Sequence, residues 1–148
     1  MKVIHRRDAE DAEFPQRELT ERVIAAAIEV HRLLGPGLLE SVYQRSLEHE
    51  FRERGLVFES QVAVPIRYKS MVIEPPLRID LLVERCVIVE VKAIAALEEV
   101  HRAQLLTYLR LAGLEAGLLI NFNVPVLRQG LKRVVNTLRP SASSAPLR

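Results

Sequence analysis

Apolar residues return at helical spacing early in the chain. Val23, Ala27, Val30 and Leu34 mark one stripe, with Ile24 and Ala26 beside it, which predicts a helix over 19–34. Gly35-Pro36-Gly37 ends it and makes a corner. A second helix is expected over 39–54, stopped by Gly55. The pattern then becomes strand-like. Residues 57–66 alternate loosely, 71–73 follow a turn at Lys69-Ser70, and Pro75-Pro76 is expected to break the chain. Two β-rich runs, 77–83 and 86–91, read as a hairpin around Glu84-Arg85. A third helix fits 98–112, ended by Gly113, and 118–122 is a short buried strand. Residues 131–135 suit an edge strand or a helical turn, with the strand preferred. The order predicts a mixed α/β layer, a sheet covered by helices.

The ends add little to this core. Residues 1–17 are polar and aperiodic, a loose lead-in, and 140–148 form a low-complexity tail expected to be disordered. Residues 18–139 are expected to make a single domain, which suits a chain of 148 residues. The start lacks the apolar segment of a secretory signal, and no run is long enough to span a membrane. One cysteine, Cys86, excludes an internal disulfide and reads as an inert packed thiol; a cytoplasmic location is expected. The net charge of +2 does not by itself announce a nucleic-acid binder. His5, His31 and His49 lack the spacing of a zinc site and read as surface or boundary residues.

The chemistry begins where apolar runs carry charge. Glu90 and Lys92 end the run that starts at Cys86, and in a strand they share one face. Burying either alone is costly, so each needs a partner or a metal; an ordinary strand-end ion pair is the plain alternative. Asp80 interrupts the neighbouring run between Ile79 and Leu81. Hairpin parity decides whether these acids meet. If Val83 faces Cys86, Asp80 lies opposite Val89 and faces away from Glu90. A three-residue connection through Cys86, or a bulge, places it opposite Glu90, and this second arrangement is expected. Two facing carboxylates beside a lysine suit phosphodiester hydrolysis, because Mg²⁺ needs only one or two carboxylates and activates water. Glu40 falls on the arc of Leu39, Tyr43, Leu47 and Phe51, where an acid is anomalous, although a first-turn acid also complements the helix dipole. Gln104 and Tyr108 form a polar stripe on the third helix, one turn after His101; a solvated face is the plain reading.

Asp80 followed by Glu90-Val91-Lys92 resembles the D…(D/E)-x-K signature of the PD-(D/E)XK nuclease superfamily. Gly37-Leu38-Leu39-Glu40-Ser41-Val42-Tyr43 resembles the motif that names the GxxExxY proteins, a bacterial branch of it, and Asn121-Phe122 is also similar to that branch. Ile79 stands where the superfamily's name places proline. The likeness runs from about Leu19 to Val135. It implies a restriction-endonuclease-like core, a central mixed sheet flanked by helices. By motif, Asp80, Glu90 and the Val91 carbonyl would be metal ligands, Lys92 the catalytic lysine, and Glu40 the helical acid completing the site. Gln104 and Tyr108 are similar to a Q-x-x-x-Y element near the DNA. Arg78, Arg102 and Arg110 are rim candidates for phosphate contacts. The implied function is Mg²⁺- or Mn²⁺-dependent cutting of nucleic acid, DNA in the first place. A non-catalytic nucleic-acid-binding or protein-interaction module on the same fold is the alternative. An unrelated α/β domain would require Asp80 and Glu90 on opposite faces of the sheet. The last strand's edge offers a place for a homodimer to pair.

Overall fold

The computed structural model describes residues 14–137. Most of the expected lead-in and the whole tail, with His5, lie outside the described residues. Helix α1 (Arg17–Leu34) starts two residues before the expected position and buries Val23, Ala26, Ala27 and Val30 along one stripe. Helix α2 (Glu40–Glu53) buries Tyr43, Leu47 and Phe51, each one turn after the last. The corner between them is held by Tyr43. Its hydroxyl donates to the Gly35 carbonyl at 2.6 Å and accepts from the Leu38 N–H at 3.1 Å. Its ring stacks on Phe122, with centroids 4.6 Å apart. None of the described helices is long and apolar enough to cross a membrane.

Five strands follow: β1 (Phe58–Tyr68), β2 (Met71–Val83), β3 (Val87–Lys92), β4 (Ala116–Asn121) and β5 (Leu131–Val135). Helix α3 (Glu99–Ala112) joins β3 to β4, and a 3₁₀ turn (Leu127–Gly130) leads into β5. The sheet order is β1-β2-β3-β4-β5. Only β3 and β4 are parallel, as a strand–helix–strand crossover requires. Residues 131–135 form an edge strand, not a helical turn.

Pro75-Pro76 does not break the chain. β2 runs through both prolines, because the ladder with β1 slips there: Val64 faces Leu77 and Ile66 faces Ile73. Residues 74–76 therefore stand opposite Pro65 alone. Three prolines that cannot donate to a ladder occupy the place where the ladder needs no donors.

The core has two halves. Val83, Val87, Val89, Val91, Leu118 and Ile120 pack against α1 and α2 on one face of the sheet. Leu82, Ile88 and Leu119 meet Leu105, Tyr108 and Leu109 of α3 on the other. One reading of a polar residue changes, that of His31, while Cys86 keeps the reading of an inert packed thiol. His31 is buried and its Nε2 lies 2.7 Å from the Val124 carbonyl, tying α1 to the segment after β4. Cys86 is half-buried, and burial followed by the Glu84 charge pushes its thiol pKa up, so it is a poor nucleophile.

Gly130 is set by close approach rather than by a turn. A Cβ there would lie 2.1 Å from the Asn121 carbonyl oxygen at the end of β4. Backbone cannot yield as a side-chain tip can, so Gly130→Ala is expected to destabilise the fold by about 3 kcal/mol, the upper range for overpacking. Urea denaturation checks this; a midpoint equal to that of the parent protein contradicts the packing described.

Candidate active site

The β2–β3 connection decides the site. Val83 pairs with Val87, leaving Glu84, Arg85 and Cys86 in the turn. Glu84 and Arg85 both have positive φ, and the Cys86 N–H closes the turn on the Val83 carbonyl at 3.0 Å. With this three-residue connection, Asp80 comes opposite Glu90, the arrangement a shared site needs.

The two strands then part. Their ladder ends at Leu81 and Val89. Beyond that rung each acid takes over a backbone bond of the other strand. The Asp80 N–H donates to Glu90 Oε1 at 3.3 Å, and the Val91 N–H donates to Asp80 Oδ2 at 2.9 Å. On its other side Asp80 also lacks a rung: the pairing with β1 passes from Ser60–Leu81 to Val62–Ile79, and Gln61 has a φ of 52°. The alternation slips at this point. Ile79 and Leu82 both join the α3-side core, while Leu81 joins the other. Asp80 is thus released from both neighbours and re-aimed, as irregular strand positions beside functional sites often are.

Burial makes this pair electrostatically demanding. Glu90 is 6% exposed, and its carboxyl pKa is pushed up to about 9. Burial is the main cause, followed by the Asp80 charge and a side-chain hydrogen bond to Asp80; a backbone bond and Lys92 oppose them. Glu40, the first residue of α2, is exposed. Its carboxyl is nevertheless raised, by partial burial first, with Lys92 lowering it and Asp80 raising it. Tyr108 is raised by burial and by the charges of Glu90 and Asp80, and its hydroxyl accepts from Gln104 Nε2 at 2.9 Å. Glu40, Asp80, Glu90, Lys92 and Tyr108 therefore share one electrostatic neighbourhood at the carboxyl end of β3.

The rim candidates divide. Arg78 lies two residues from Asp80, and its Nη1 donates to the Gln61 carbonyl at 3.4 Å. Arg102 is not brought to the cluster. It sits about 200° round α3 from Gln104, exposed and paired with Glu99 at 3.4 Å. Arg110 is exposed at a similar angle from Tyr108. His101 is occupied in the capping box of α3, accepting the Glu98 N–H on Nδ1 at 2.9 Å.

Three residues that support the site were not singled out for that purpose. Gln44 donates to the Asp80 carbonyl at 3.4 Å, and Gln61 Nε2 reaches Gln44 Oε1 at 3.3 Å. Gln44 follows Glu40 by one helical turn, a spacing that points to it; nothing in the alternation around Gln61 does. Asn121 is fully buried. Its Oδ1 accepts from the Ile94 N–H and its Nδ2 donates to the Ile94 carbonyl, each at 3.0 Å. That clamp fixes the chain just after Lys92.

Among the described residues, no three His, Cys, Asp or Glu side chains gather closely enough to clasp a metal. Asp80 and Glu90 do gather, and their chemistry fits a divalent cation: two adjacent carboxyl groups, of which the buried Glu90 otherwise favours retaining a proton. Mg²⁺ keeps several waters and needs only one or two such ligands.

The family model of the PD-(D/E)XK nuclease superfamily matches residues 17–134. The chain belongs to that superfamily. Its helix-flanked mixed sheet is consistent with the restriction-endonuclease-like fold. Comparisons with the curated proteins and with the solved structures found no match. Membership points to a metal-dependent nuclease and a nucleic-acid substrate; divalent metals are general in the superfamily.

The raised Glu90 pKa has a sign that can be measured. Folded Glu90 keeps a proton that the unfolded chain releases above about pH 4.5, so stability falls as pH rises from there towards about 9. Glu90→Gln keeps a neutral side chain at every pH. Without metal it is expected to raise the melting temperature at about pH 8 by at least roughly 2–4 °C, the response to about 1 kcal/mol in a domain of this size, and to change it little at about pH 4. Equal shifts at both pH values would show that Glu90 is not the titrating group.

Proposed function

We propose that the protein is a Mg²⁺- or Mn²⁺-dependent phosphodiesterase acting on DNA, of the GxxExxY branch of its superfamily. The reciprocal bonding of Asp80 and Glu90 beyond the last β2–β3 rung carries this reading. In it, Asp80, Glu90 and the Val91 carbonyl would hold the cation, with Glu40 the helical acid that would complete the set. The cation, when bound, supplies Lewis acidity towards the phosphoryl oxygen and lowers the pKa of a water. Lys92 neutralises charge developing on the phosphate or orients the attacking water. Gln104 and Tyr108 donate to the substrate, with Arg78 at the rim. Gln44 and Asn121 are positioning residues: one holds the Asp80 backbone and the other the chain after Lys92.

The branch assignment is supported by what the motif residues do. Gly37 turns the corner with a φ of 100°, Glu40 opens α2 at the site, and Tyr43 locks the corner from below. A second reading, a binding module without catalysis, is favoured by the position of Glu40, which does not close a three-acid cluster with Asp80 and Glu90.

Purified protein is expected to cut DNA with Mg²⁺ or Mn²⁺ and to stop in EDTA. Asp80→Ala and Lys92→Ala should each lower the rate at least about 100-fold, the scale of losing one electrostatic contributor to the transition state. Linear, circular and single-stranded DNA and RNA are the substrates to compare. Cutting that persists unchanged in both variants would come from a contaminant. An absence of cutting on all substrates favours the binding module.

A further inference from the structure

The β1–β2 hairpin is longer than the sheet it belongs to. Continuing the register from Leu81–Val89 brings Arg78 level with Lys92, the last residue of β3. Residues 71–77 of β2 lie past that level, paired only with β1. At about 3.3 Å per residue this part reaches up to about 20 Å beyond the end of β3. It leaves from the edge that carries Asp80, Glu90 and Lys92, so it flanks the approach to that cluster.

Its surface carries more cations than acids. Residues 65–78 contain Arg67, Lys69 and Arg78 against one acid, Glu74. All three cations are exposed, as are Tyr68 at 60%, Met71 at 55% and Val72 at 44%. On the helices, Arg17, Arg32, Arg52, Arg54 and Arg102 are each paired with an acid three or four residues away, whereas Arg22, Arg45 and Arg110 are in no ion pair among the described residues. Among the described residues, no ion pair engages Arg67, Lys69 or Arg78. At the tip, Lys69 occupies a turn position with a φ of 57°, where glycine is the easier residue, and its Nζ lies 5.4 Å from the Tyr68 ring centre. A cation therefore stands at the tip itself.

We propose that this hairpin is an arm that grips duplex DNA and leads it to the Asp80–Glu90 edge. Two observations select the ligand. The arm's net charge is positive, which complements phosphate. Its form is a two-stranded ribbon, which enters the major groove of B-form DNA, whereas the major groove of an RNA duplex is too deep and narrow. Lys69 at the tip and Arg67 beside it on β1 contact the backbone, and Arg78 contacts it nearer the cluster. The destination of the DNA rests on the phosphodiesterase reading; the grip itself does not.

The test measures binding of the full chain to a short fluorescently labelled DNA duplex by anisotropy, in EDTA, over a series of salt concentrations. Lys69→Gly is the decisive variant, because glycine suits the positive φ and the fold is not weakened. Its melting temperature should hold or rise, while the duplex affinity falls about threefold and the slope of log K against log salt shrinks by about 0.9. Arg67→Ala combined with Lys69→Gly should lower the affinity about tenfold and the slope by about 1.8. Hydrolysis of bis(p-nitrophenyl) phosphate, too small to reach the arm, should be unchanged in both variants. Unaltered duplex affinity and slope overturn the arm, whether or not the protein cuts. Tighter binding of single strands that depends on Tyr68, or a dimer abolished by Tyr68→Ser without any effect on DNA, also overturns it. Arm-dependent binding without cutting of any diester retains the arm and removes the phosphodiesterase.

Discussion

Everything near the candidate site follows from the fork between β2 and β3. Strands in a sheet satisfy each other's backbone donors, and a buried donor left without a partner costs about 1–3 kcal/mol. Past Leu81 and Val89 the two strands no longer do this, and the donors of residues 80 and 91 are served by the carboxylates of Glu90 and Asp80. The same exchange opens the sheet and brings two acids together. Neither acid can be replaced by an apolar residue without stranding a backbone N–H. The acids are therefore structural as well as chemical, and a single substitution at either position tests both roles at once.

Such an opening has to be braced, because the ladder no longer supports it. The bracing comes from side chains that bond to backbone. Gln44 reaches the Asp80 carbonyl from α2, and Gln61 backs Gln44 from β1. Asn121 holds both backbone groups of Ile94, so the strand end carrying Lys92 is anchored to β4. Tyr43 fixes the corner from which Glu40 enters and stacks on Phe122, next to Asn121. These groups come from separate segments of the chain, and each meets its partner only when the layers are assembled. Glu90 is the more buried acid of the pair, and burial raises its carboxyl pKa, a cost that a cation beside it would relieve.

Helices, strands and the charged interruptions of the apolar runs were legible in the sequence, because side-chain period and burial are local consequences of the backbone geometry. Glu90 and Lys92 stood out by lying on one face of an otherwise apolar strand, and Asp80 by interrupting its neighbour. Pro75-Pro76 misled, because proline forbids a ladder bond but not a strand. Whether the bond is needed depends on the register of β1, which slips at Pro65. Arg102 was expected at the rim, although it lies two residues from Gln104 on the helix and so points in a nearly opposite direction.

The sequence by itself determined the element types, the α/β class and the identity of the chemically unusual positions, since these depend on spacing along one segment. Tertiary structure alone decided that Asp80 faces Glu90. A hairpin one residue shorter would preserve every local pattern and turn Asp80 to the other face. It also decided which glutamines and asparagines matter, because a hydrogen bond between distant segments leaves no period in either of them.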